Sequence, residues 1–172
     1  IVATKDRFAD CVAEILAAAP ERFTILGTSF GGRLAMEVAV AAPERLSGLV
    51  VLGSGAGPVA DQALGLRRGQ RMRGGEFEQV LQEMGNSIAH MPGPRGIATM
   101  EAFRARARST GAETMARQSD ALAYRAVLWP DLTRITCPVL CLWGAHDQYV
   151  AASEGLRLAQ SFKAGRYVEI GD

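Results

Sequence analysis

The order of segments in this chain predicts an α/β fold: a parallel sheet with flanking helices, and a helical cap inserted between two strands. Three observations carry that prediction across the 172 residues. Phe23-Thr24-Ile25-Leu26, Leu49-Val50-Val51-Leu52 and the run from Pro138 to Trp143 are apolar and β-prone without polar alternation, so they read as strands covered on both faces. Helical patterns alternate with them, the order of a parallel sheet with helices on each side. Between Pro58 and about Thr136, about eighty residues carry helical spacing and no convincing strand, too many for a simple crossover.

Taken in order, residues 5–19 predict a helix capped by Thr4, with Phe8, Val12, Ile15 and Leu16 on one face and Pro20 ending it. Residues 23–27 follow as a strand and 31–42 as a helix, stopped by Pro43. The strand at Leu49 to Leu52 ends in Gly53-Ser54-Gly55-Ala56-Gly57. Helices are expected at 60–73, 76–90, 95–109 and 112–128, punctuated by Gly74-Gly75, Pro92-Gly93-Pro94 and Gly111. A strand from Pro138 to Trp143, a helix at 152–162 and a strand from Arg166 to Ile170 complete the chain. The domains expected are a partial core, 1–57 with 137–172, and a cap, 58–136, above the C-terminal strand ends where open α/β sheets bind ligands.

The motif Gly27-Thr28-Ser29-Phe30-Gly31-Gly32 lies where the first strand runs into a helix. That is the context a G-x-S-x-G turn requires, with the serine strained and exposed and Gly27 and Gly31 leaving room around it. The plain alternative is a glycine-rich turn whose serine only caps the helix. A second cluster, Gly144-Ala145-His146-Asp147-Gln148-Tyr149-Val150, follows the third strand and places Asp147 at the same sheet edge as Ser29. Serine before acid is the chain order in which such an acid orients a histidine base; otherwise Asp147 merely bonds nearby amides. A serine nucleophile suits attack on a carbonyl through an oxyanion rather than displacement at sp³ carbon.

Composition narrows the function classes. A net charge of +1 gives no electrostatic footprint for nucleic acid or an anionic membrane. No apolar run approaches the roughly 18 residues of a membrane span. Three cysteines, with Cys137 and Cys141 about 13 Å apart along an extended strand, read as small core residues in a reducing, cytoplasmic compartment. With two histidines there is no ligand set for zinc or iron, so neither metal nor cofactor is expected. The glycines at 53–57 only faintly match a dinucleotide fingerprint, since the third small position falls at Pro58. Arg67, Arg68, Arg71 and Arg73 read as a solvated helix face balanced by Glu76 and Glu78, with attraction of a carboxylate-bearing substrate as the alternative.

The runs G-T-S-F-G-G-R-L-A-M, A-P-E-R-L-S-G-L-V-V-L and C-P-V-L-C-L-W-G-A-H-D-Q-Y-V resemble the α/β-hydrolase superfamily, in particular its capped branch of meta-cleavage C–C hydrolases, enol-lactonases and carboxylesterases. The resemblance implies Ser29 as nucleophile, Asp147 as triad acid and the Phe30 backbone N–H as one oxyanion donor. It implies a small-molecule carbonyl substrate, an ester, lactone or activated C–C bond. It also implies a histidine just after the last strand and further strands before residue 5, so the chain reads as an internal fragment, inactive alone. His90 and His146 are not expected to serve as the base. A non-catalytic small-molecule binding module of the same fold is the alternative function.

Overall fold

The computed structural model describes residues 1–171. Its elements run α1 (Phe8–Ala18), β1 (Phe23–Thr28), α2 (Phe30–Ala41), β2 (Leu46–Leu52), α3 (Gln62–Arg73), α4 (Phe77–Ile88), α5 (Pro94–Thr110), α6 (Ala112–Ala123), β3 (Val139–Gly144), α7 (Ala152–Gln160) and β4 (Gly165–Ile170). Short 3-10 turns occupy Pro43–Arg45 and Trp129–Arg134. The residues group into a sheet unit, Phe8–Pro58 with Arg125–Asp172, and a helical unit, Ile1–Arg7 with Val59–Tyr124.

In the sheet unit four parallel strands stand in the order β1-β2-β3-β4, with Gly27 opposite Val51, Val51 opposite Cys141 and Cys141 opposite Tyr167. Leu49, Val51, Val139, Cys141 and Trp143 are buried on one face. α2 packs there against β1 and β2, and α7 against β3 and β4. A Cβ on Gly155 of α7 would stand 2.4 Å from the Trp143 ring, so that contact requires a glycine. Within the sheet unit the helices α2 and α7 pack on that face, and the opposite face is open to solvent at Leu26 (65% exposed), Val168 (40%) and Ile170 (57%). Helices on each side were expected; they lie on one. The reason is strand order. Each right-handed crossover steps the same way across this sheet, and steps in one direction put every crossover helix on one face.

The first helix starts three residues later than expected, at Phe8, and Thr4 does not cap it. Residues 1–7 group instead with the helical unit, where Gln118 Nε2 donates to Ala3 O (2.9 Å) and the Arg7 guanidinium lies 4.0 Å from the Tyr124 ring centre. The far end of α1 is closed by Arg45, which donates to the carbonyls of Leu16, Ala19, Pro20 and Glu21. Those carbonyls have no partner within the helix, so one guanidinium replaces a glycine C-cap.

In the helical unit α3 to α6 enclose Met72, Val80 and Ala116, with Phe77, Met84 and Met115 against them. Gly65 and Gly69 of α3 let α6 approach; a Cβ on Gly69 would lie 2.6 Å from Asp120 Oδ1. The arginine cluster is largely paired: Arg71 with Glu76 and Glu83, Arg73 with Glu113 and Asp120, Arg67 more loosely with Asp61. Glu78 pairs with Arg108. Residues 125–136, expected in the insertion, pack with the sheet unit: Leu128 N donates to Ala56 O (2.9 Å), and Leu132 and Ile135 are buried. Among the described residues, no helix is long and apolar enough to cross a membrane.

Candidate active site

Ser29 stands between the last residue of β1 and the first of α2, with φ 50° and ψ −119°. Among the described residues it is the one non-glycine with positive φ. That conformation costs of order 1–3 kcal/mol for a residue with a Cβ and persists only where its surroundings enforce it. They do so here. The Ser29 N–H donates to Leu52 O (3.0 Å), anchoring the turn to β2, while Arg33 N–H donates to Ser29 O (3.1 Å), starting the helix. The hydroxyl makes no capping bond to α2, and Ser29 is exposed. The plain alternative of a helix-capping serine is therefore not what the side chain does.

The glycines divide unequally. A Cβ on Gly27 would sit 2.0 Å from Gly31 O, 2.2 Å from Gly31 C and 2.6 Å from Gly32 N, all backbone atoms. A Cβ on Gly31 would meet nothing within 4 Å. The close approach of strand and helix instead needs Gly32, whose Cβ would stand 2.8 Å from Ser54 Cβ and 3.0 Å from Gly27 O. Gly31 was expected to share this packing role; Gly32 performs it.

Phe30 opens α2, so its N–H is one of the amides a helix start leaves without an internal partner. Its ring is held by a stack on Phe8 of α1, with centroids 5.1 Å apart and planes at 19°. The exposed Ser29 thus adjoins a helix N-terminus whose partial positive charge favours an anion.

Asp147 lies three residues beyond β3, at the same edge of the sheet. Its Oδ1 accepts the N–H groups of Tyr149 (2.8 Å) and Val150 (2.9 Å), and its own N–H donates to Gly144 O (3.2 Å). The buried Trp143 ties the same loop down by donating Nε1–H to Val150 O (2.8 Å). The other carboxylate oxygen, Oδ2, faces Gly53 at the end of β2, where a Cβ would come within 2.9 Å of it. Gly53 adopts φ 51° and so serves twice, turning the chain off the strand and leaving room for the carboxylate. Ser29 and Asp147 flank the end of β2, on strands two sheet spacings apart, about 10 Å.

His146 is exposed on the Asp147 loop, where its carbonyl accepts from Gln148 Nε2 (2.9 Å), and His90 follows α4 in the helical unit. Gly53 to Gly57 do not open a helix: α3 begins at Gln62 with an Asp61 cap, and Ala56 is buried and bonded to Leu128. That is not the geometry of a dinucleotide fingerprint. Among the described residues, no group of His, Cys, Asp and Glu is placed to hold a metal ion.

Comparison with known proteins decides the family. The family model described as "Alpha/beta hydrolase family" matches residues 3–170. The chain belongs to the alpha/beta hydrolase family. Curated relatives include a 2-hydroxy-6-oxononadienedioate/2-hydroxy-6-oxononatrienedioate hydrolase of Pseudomonas putida, 29% identical over 148 residues, covering 80% of this chain and 51% of the relative. Another with the same activity, from Cupriavidus pinatubonensis, is 30% identical over 151 residues, covering 80% and 50%. This alpha/beta hydrolase chain therefore spans about half the length of the curated relatives it matches. Similar solved structures include an enol-lactonase from Burkholderia xenovorans (TM-score 0.82, 20% identity, 95% of this chain and 64% of that one). A thermophilic esterase from Thermogutta terrifontis gives TM-score 0.84 at 21% identity, over 100% and 66%. Those two likenesses speak to the fold.

Sequence reasoning named Gly32, Gly53 and Trp143 within their runs but gave them no part in the site. It passed over Arg33, whose i,i+4 spacing to Glu37 is a visible signal.

Proposed function

We propose that the protein of which this chain forms part is a serine hydrolase acting on an ester, lactone or activated C–C bond of a small carbonyl compound. One observation carries the reading: a strained, exposed serine whose hydroxyl is not spent on the helix it precedes. Ser29 Oγ attacks the carbonyl carbon and gives up its proton to a histidine. The oxyanion is received by the Phe30 N–H, with the α2 N-terminus behind it. Asp147 holds that histidine in the right tautomer and stabilises the imidazolium, since Oδ1 is already fixed by two amides. The histidine, contributed after β4 by a longer chain, passes the proton to the leaving oxygen or carbon as the oxyanion collapses and the ester, lactone or C–C bond breaks. It then takes a proton from the water that releases the acyl group from Ser29. The names of the curated relatives, hydrolases of 2-hydroxy-6-oxononadienedioate and 2-hydroxy-6-oxononatrienedioate, support a carbonyl substrate.

The test is turnover of p-nitrophenyl esters and labelling by a fluorophosphonate, in the parent extended on both sides of this segment. Ser29→Ala should abolish both, and Asp147→Asn should lower turnover by about 10³–10⁴-fold. Turnover that survives Ser29→Ala overturns the proposal. A parent without activity or a histidine after β4 leaves the binding-module reading.

A further inference from the structure

Arg33 lies one helical turn after Ser29 on α2 and is fully buried. Its Nε and Nη2 donate to Glu37 Oε1 (2.9 and 2.8 Å). Its Nη1 donates to Gly57 O (3.2 Å) and its Nη2 also to Ala126 O (2.5 Å). These two carbonyls are not arbitrary. The chain leaves the sheet unit after Pro58 and re-enters it at Arg125, so Gly57 and Ala126 sit one residue inside each crossing. Around them Leu128 N–H donates to Ala56 O and Arg125 Nη2 to Pro58 O (both 2.9 Å). Below, the Arg33 guanidinium lies 5.7 Å from the centre of the Phe8 ring, the ring that stacks on Phe30.

The Arg33–Glu37 pair has one fully buried partner and one partly exposed one. A pair with a buried charge is rarely kept for stability alone, because apolar residues of the same shape commonly do as well or better. What an apolar pair cannot do is bond two carbonyls from segments about seventy residues apart at once, whereas a planar fork of five donors can. We propose that Arg33 is a positioning residue: its guanidinium latches both linkers, 56–58 and 125–128, onto the helix that begins at Ser29, and sets how often they open while the sheet stays folded. The inference concerns the linkers and does not depend on the chemistry proposed for Ser29.

Two readouts on the full chain test it: trypsin cleavage at the Arg125–Ala126 bond, and amide hydrogen exchange at Leu128 against that at Val51 and Cys141. The double variant Arg33→Met with Glu37→Leu removes the charge pair without orphaning a buried charge. It should cleave at least tenfold faster at Arg125–Ala126 and exchange at least tenfold faster at Leu128, with Val51 and Cys141 changed less than threefold. Arg33→Lys keeps the charge but not the fork, and should release the linkers at least threefold. Unchanged cleavage in the double variant overturns the proposal, because Arg33 then only fills space. So does an equal acceleration at Val51 and Cys141, which would make the effect general destabilisation.

Discussion

At Gly27 the atoms a side chain would strike are backbone atoms of the next helix, so nothing flexible can yield. Gly27→Ala must therefore push β1 and α2 apart, and we expect it to cost about 3 kcal/mol or more, at the upper end of overpacking effects. Gly31→Ala places its methyl in open space on a helix with ordinary φ. It should be neutral or up to about 1 kcal/mol stabilising, since alanine outperforms glycine inside a helix. Denaturant midpoints of the two variants decide the matter; equal losses would show the space beside Gly31 to be occupied. The motif spelling in the sequence treats these two glycines alike. Their difference depends on where the first turn of α2 lies against β1, which no local pattern encodes.

Strands and helices were legible where one local signal sufficed. β1, β2, β3 and β4 fall within a few residues of their apolar runs, and the proline and glycine breaks mark the insertion helices. What stayed hidden needed long-range information: the single covered face follows from strand order, and the closing of α1 from Arg45 on another element. Cys137 and Cys141 were read as core residues and are buried, and the burial of Cys141 in β3 has a pH consequence. Burial pushes the Cys141 thiol up to about 12, against an ordinary value of about 8.5. A pKa raised on folding means stability that is fully present below the unfolded value and lost as pH rises through the folded one. Unfolding midpoints should therefore fall between about pH 8.5 and 12, and Cys141→Ala should flatten that alkaline slope. Tyr167, opposite Cys141 in the register and also raised to about 12, first by burial and then by its bond to Glu169, adds to the upper part of the window. Rapid reaction of Cys141 with a thiol reagent in the folded protein at pH 8 would contradict this account.

Over the whole molecule, the face of the sheet opposite α2 and α7 presents Leu26, Val50, Leu52, Leu140, Leu142, Val168 and Ile170 half-buried or exposed. Among the described residues β1 pairs only with β2, so its other edge offers unpaired N–H and C=O groups. Apolar surface beside an open strand edge is a template for association. At about 25 cal/mol per Å², covering even about 400 Å² of it contributes on the order of 10 kcal/mol, comparable to a domain's whole stability. The curated relatives, of which this chain covers only about half, supply a physical reason why such a face need not stay open in the parent. We therefore expect residues 1–172 made alone to bind a hydrophobic dye strongly, to self-associate at micromolar concentration, and to show no turnover of p-nitrophenyl esters. Leu26→Lys together with Val168→Lys should reduce the association without restoring turnover, because charge on the open face removes the template but adds no base. Serine-dependent turnover by a monodisperse chain of these residues would mean that the groups needed for catalysis all lie within it.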